Sequence, residues 1–75
     1  MSDVDYTARH KAMLKAIGEG RGRLVGGTHP NLTIDGLWCD FTATNDLVDH
    51  GLVRSVSHAA SLTPSGHVVL ALLTA

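Results

Sequence analysis

The chain has 75 residues, 44% of them hydrophobic, and a formal net charge of -1 at pH 7. That length holds one small domain, near the lower limit at which an apolar core outweighs chain entropy, and the hydrophobic share excludes a disordered chain. Near-neutral charge argues neither for a strong polyanion binder nor for an acidic tail.

Charge is nonetheless unevenly spread. Arg9, Lys11, Lys15, Arg21 and Arg23 crowd the first third, Arg54 stands alone later, and Asp35, Asp40, Asp46 and Asp49 make the middle mildly acidic. Tyr6, Trp38 and Phe41 are the only aromatic residues, so the core must be built from aliphatic side chains. A core of that kind often gains stability by self-association. Cys39 is the single cysteine, which precludes an internal disulfide and suits a reducing, cytoplasmic setting. The opening five residues are acidic and lack the apolar run of a secretory signal. The longest apolar run, Val68 to Leu73, is too short to cross a bilayer.

In chain order, a first helix is expected to start near Ser2 or Asp5, which have capping-box spacing. It carries Tyr6, His10, Met13, Leu14 and Ile17 on one face and Arg9, Lys11 and Lys15 on the other. Gly18, Gly20 and Gly22 stop it. Arg23-Leu24-Val25 and Leu32-Thr33-Ile34 are short strand candidates around a turn rich in glycine, proline and asparagine, which makes a small hairpin. Asp35-Gly36 breaks the second strand. A second helix then runs from Leu37 or Asp40 to His50, with Asp35 or Asp40 as N-cap and Phe41, Leu47 and Val48 turned inward. Gly51 sits where a left-handed C-cap belongs, and Leu52 is placed to fold back on the helix.

The chain continues with Val53 to Ser57 as a strand, a turn at His58-Ala59, and Ala60-Ser61-Leu62 returning. Thr63 as N-cap and Pro64 at the first helical position open a third helix. That helix is apolar on every side through Leu73, so it is either fully buried or shared with a second copy. The spacing therefore predicts a single α+β domain over residues 1–75, ordered helix, hairpin, helix, hairpin, helix.

Leu47, Gly51-Leu52-Val53-Arg54 and Leu62-Thr63-Pro64-Ser65-Gly66 together resemble the wing region of MarR-type winged-helix transcription regulators, over roughly the last third of the chain. In that family a recognition helix ends in Gly-Leu-Val, a β-hairpin wing follows, and Leu-Thr-x-x-Gly starts the next helix. The resemblance implies a winged-helix-like regulatory module that binds DNA as a dimer. Thr42, Thr44 and Asn45 would then meet the duplex from the second helix, and Arg54 from the base of the wing. Val69, Leu70, Leu72 and Leu73 would form the dimer or partner seam. Arg9, Lys11, Lys15, Arg21 and Arg23 are secondary phosphate-contact candidates.

A rival reading keeps the scaffold and drops the DNA. The second helix has no Lys or Arg, and Asp46 and Asp49 would repel a phosphate backbone, which suits a protein-interaction module. Other chemistries are less supported. His10, His29, His50, His58 and His67 are scattered without zinc-motif spacing, so no metal is expected. Gly18-Glu19-Gly20-Arg21-Gly22-Arg23 follows a helix and lacks the ending of a P-loop. Cys39 with a histidine, or Asp35 with Asp40, could carry catalysis, but a short chain leaves little material to shape a pocket. Neither an enzymatic activity nor a cofactor is expected.

Overall fold

The computed structural model describes residues 6–26 and 30–74. The element order is α1 (Ala8–Gly18), β1 (Gly22–Val25), β2 (Asn31–Ile34), β3 (Leu37–Trp38), α2 (Phe41–Asp49), β4 (Val53–Val56), β5 (Ala59–Leu62) and α3 (Pro64–Thr74). All five strands join one antiparallel sheet in the order β3-β2-β1-β5-β4. The expected α+β class is therefore observed, with three helices and the two expected hairpins in order, and a third hairpin between β2 and β3.

Local chemistry explains the helix ends. Ser2 and Asp5 lie outside the described residues; α1 is capped by Thr7 instead, in a box whose other half is His10. The Thr7 backbone N–H donates to His10 Nδ1 at 2.8 Å, so an imidazole does what Glu or Gln usually does at this position. The ends of α1 and α2 share one device. The Arg21 N–H reaches the Ala16 carbonyl and the Gly20 N–H reaches Ile17, while Leu52 and Gly51 do the same to Leu47 and Val48. Each is a Schellman closure, which needs a left-handed residue just past the cap; Gly51 fills that position at φ 69°.

Between Ile34 and Gly51 the sequence reading needs correction. Asp35 and Gly36 both have positive φ and link Ile34 to its partner Leu37. They form the two-residue turn of a tight hairpin, and Leu37-Trp38 is a third strand, not the start of the second helix. Asp40 is the N-cap of α2, accepting the Ala43 N–H at 2.8 Å. Phe41, expected inside, is 49% exposed: one residue past the cap it falls on the solvent side, while Ala43, Thr44 and Leu47 face inward.

The β4–β5 hairpin turns at Ser57-His58, one residue earlier than expected, with φ 51° and 70°. It is not a free ribbon. Arg23 of β1 pairs with Ala59 of β5 and the Leu24 N–H donates to the His58 carbonyl at 3.0 Å, which fuses the two hairpins into one sheet.

The core is a single cluster of Met13, Leu14, Ile17, Leu24, Leu32, Ala43, Leu47, Leu52, Val53, Ala60 and Leu62. It lies between the three helices and one face of the sheet. On α3, Val69, Leu70 and Leu73 are partly buried against this cluster, whereas Val68 and Leu72 are 60% and 71% exposed. No helix among the described residues is long and apolar enough to cross a membrane.

The corner between β5 and α3 explains the Leu62-Thr63-Pro64-Ser65-Gly66 signal. The Thr63 N–H donates to the Leu52 carbonyl at 3.0 Å, its hydroxyl donates to the Gly51 carbonyl, and Thr63 Oγ1 accepts the Gly66 N–H at 3.0 Å. One threonine thus caps α3 and fastens it to the end of α2. Gly66 is required because any side chain there would run into the Leu52 carbonyl.

Candidate functional site

The residues proposed for a duplex do not form one surface. Thr44 is only 1% exposed, and its hydroxyl donates to the Asp40 carbonyl at 2.8 Å, so it is a core residue and unavailable to a ligand. Thr42 is exposed and Asn45 half-buried. Asn45 shares a helical stripe with Phe41 and Asp49, at spacings of four, and no cation accompanies them. Arg54 is elsewhere. It lines a shallow cleft of about 520 Å³ whose walls come from α1, its exit turn, β4, β5 and α3, and to which α2 contributes nothing. The cleft opens where β5 runs past its one paired position with β1, alongside Gly18 and Gly20.

Between α1 and α2 lies a polar cluster. His10 is buried and its Nε2 meets Asp46 Oδ2 at 3.0 Å. Because Nδ1 accepts the Thr7 N–H, the hydrogen-bond pattern assigns the ring proton to Nε2. Tyr6 stands edge-on to His10 and to His50, with centroids 5.4 and 6.1 Å away, and its hydroxyl is 3.4 Å from His50 Nδ1. Thr7 Oγ1 lies 3.0 Å from His10 Nδ1, so hydroxyl, imidazole and carboxylate follow one another as in a nucleophile relay. The lone pair that a general base needs is, however, taken by the Thr7 backbone N–H. The cluster holds two helices together. Asp46 is accordingly a structural acceptor, not a free charge on a docking helix.

Ion pairing sorts the remaining charges. Arg9 lies 3.5 Å from Asp40, and Arg21 lies 2.8 Å from Glu19 and 3.3 Å from Asp35. Among the described residues, Lys11, Lys15, Arg23 and Arg54 have no ion-pair partner, and Asp49 is the only carboxylate met neither by a cation nor by the His10 ring. Lys11 and Lys15 sit on the outer surface of α1, while Arg23 and Arg54 sit on the sheet.

The strand registers place those two arginines together. Paired residues in an antiparallel sheet share a face. Following the pairs outward from Arg23 gives the row Trp38–Thr33–Arg23–Ala59–Val56 across all five strands, with Arg54 and Ser61 paired two residues further along. Their neighbours Leu24, Leu32, Ala60 and Val53 point into the core, so this row covers the other side of the sheet. Among the described residues no helix covers this face: Trp38 is 68% exposed, and Arg23, Val25, Asn31, Arg54, Val56 and Ala59 are exposed, although at the β4–β5 end Arg54, Val56, Ala59 and Ser61 border the cleft that α1 and α3 also line. No carboxylate occupies a strand position on this face.

Sequence reasoning singled out Arg54 and Arg23 but assigned them to different surfaces, and it left Trp38 at the margin of the second helix. The Asp35-Gly36 hairpin signal could have placed Trp38 on the sheet; the β1–β5 pairing that unites the face has no local signature.

Burial pushes the Cys39 thiol above its usual ionisation range, against a smaller opposing effect of a backbone hydrogen bond involving Ile34. A reactive cysteine is shifted the other way. No group of three or more His, Cys, Asp or Glu among the described residues is arranged to hold a metal ion.

No protein-family model matches this chain, and no curated protein or solved structure matches it.

Proposed function

We propose that this domain is a small winged-helix-like regulatory module that binds nucleic acid, and that it does so through the open face of its sheet and not through α2. The observation that carries this reading is the pair of guanidinium groups, Arg23 and Arg54, which have no ion-pair partner among the described residues and lie on a sheet face whose strand positions hold no carboxylate; Asp35, in the turn beside that row, is paired with Arg21. Arginine on such a face suits phosphate, because its planar fork donates two parallel hydrogen bonds. The winged-helix element of the reading rests on the β4–β5 hairpin between α2 and α3 and on the Thr63 corner. The α2 surface is supported less, since Thr44 is buried and no cation lies on the helix.

The test is a fluorescence anisotropy titration of a labelled oligonucleotide at low ionic strength, repeated as salt rises. The expected result is binding that weakens steeply with salt, with the logarithmic slope falling by about 0.7–0.9 for each arginine removed in Arg23→Gln and Arg54→Gln. Binding untouched by both substitutions, or absent at low salt, overturns the proposal.

A second reading, a protein-interaction module, is favoured by the exposure of Leu37 and Trp38 on the edge strand β3 and of Phe41 at the start of α2. The two readings part on salt: a hydrophobic anchor patch would hold its partner at salt concentrations that release a phosphate chain. Pairing with a second copy through α3 belongs to the proposal as well, supported by exposed Val68 and Leu72. Sedimentation of the chain and of Leu72→Asp tests it, a concentration-dependent dimer lost in the variant being expected and a strict monomer at high concentration contradicting it.

A further inference from the structure

Resting on the nucleic-acid reading above, the geometry points to a more specific ligand: we infer that the open face is a platform for single-stranded nucleic acid, with Trp38 as the stacking residue and Arg23 and Arg54 as the phosphate contacts. Two features of the face select the single strand over the duplex. The first is width. Five strands about 4.8 Å apart span about 19 Å, whereas the major groove is about 12 Å across and admits a helix or a two-stranded ribbon. A sheet of this width cannot enter the groove, and the β4–β5 ribbon that could is joined to β1 through Arg23–Ala59.

The second feature is the aromatic. Trp38, the only tryptophan, stands 68% exposed on the end strand in register with Thr33 and Arg23. A buried duplex base offers no face to it, while an unpaired base does. Stacking of that kind tolerates any base, because every base has a π-face. From Trp38 the row passes over Thr33 to Arg23 and over Ala59 to Val56, small side chains lying on either side of the arginine. A chain laid across the row therefore meets an aromatic surface at one edge and guanidinium groups two and four strands on. Asn31, Thr33 and Ser61 add hydrogen-bonding groups on the same face. The footprint is on the order of four nucleotides, the lower end for sheet-based single-strand sites.

The experiment compares labelled dT12, labelled rU12 and a labelled dA12–dT12 duplex by anisotropy with the full chain, Trp38→Ala and Trp38→Phe. Circular dichroism confirms that each variant folds, as expected for an exposed position. The expected result is tighter binding of a single strand than of the duplex, weakened about five- to a hundredfold in Trp38→Ala and largely kept in Trp38→Phe. Duplex binding at least as tight as single-strand binding, or single-strand binding indifferent to Trp38→Ala, overturns this inference while leaving the broader proposal standing. No binding of any of the three at low salt overturns both.

Discussion

Gly66→Ala gives opposite signs under two simple arguments, and so tests the β5–α3 corner sharply. Within a helix, alanine is favoured over glycine by about 1 kcal/mol, so propensity alone predicts a more stable protein. The structure predicts the reverse. A Cβ on Gly66 would overlap the Leu52 carbonyl oxygen, lie 3.0 Å from its carbon and 3.3 Å from Leu62 Cδ2. The obstacle is backbone, which no rotamer change relieves, so α3 must move away from the Leu52 segment. That movement breaks the Thr63 N–H bond to Leu52 and loosens the Thr63 cap, each worth about 1 kcal/mol. Displacing packed side chains adds about 1–3 kcal/mol. Set against the propensity gain, the net loss is about 2–4 kcal/mol, a large share of a small domain's stability. For a chain of this size it corresponds to a fall in Tm of about 10–30 °C. Urea and thermal unfolding followed by circular dichroism measure it, with Ser65→Ala as an exposed neighbour expected to change stability by less than about 0.5 kcal/mol. A Gly66→Ala protein as stable as the parent, or more so, would refute the reasoning.

Other outcomes follow from the same contacts. His10→Ala and Asp46→Ala each destabilise the fold, and in a double-mutant cycle by urea unfolding they show a coupling of about 1 kcal/mol; strict additivity would remove the α1–α2 link. Replacing Ser57-His58 by Asn-Gly, the residues that suit two left-handed positions, raises stability by about 1 kcal/mol, and an unchanged Tm would mean that turn is not under strain. Cys39 reacts with iodoacetamide at a pH midpoint above the value of about 8.5 for a free thiol. Since the fold favours the protonated thiol, the unfolded chain loses its proton first as pH rises, and stability declines through that alkaline window. A midpoint at or below that of a free cysteine contradicts the burial of the thiol.

The parts of the fold that could be read from the chain are those with punctuation at both ends. Gly51 and Leu52 announce the end of α2, Thr63-Pro64 announces α3, and the residues between have room only for a hairpin. The start of α1 was not legible because His10 replaces the usual acidic member of the capping box, and a histidine at that spacing carries no such signal. β3 was missed although Asp35-Gly36 is a strong hairpin turn, because two residues of strand are too few to show alternation and Asp35 also suits a helix start. Phe41 and Thr44 exchanged sides for a related reason. Once Asp40 is the cap, the phase of α2 turns Ala43, Thr44 and Leu47 inward and leaves the larger Phe41 outside, against its hydropathy. The open face was least legible. It depends on β5 joining β1 across 36 residues of chain, from Arg23 to Ala59, and non-local pairing leaves no periodic mark in a sequence.

The most direct test of the account is the map of backbone and indole NMR shifts in 15N-labelled protein as a short dT oligonucleotide is added at low salt. The account predicts shifts concentrated on Arg23, Thr33, Arg54, Ser61 and the Trp38 indole, with Thr42 and Asn45 unmoved. Shifts confined to α2 or α3, or none at all, would contradict it.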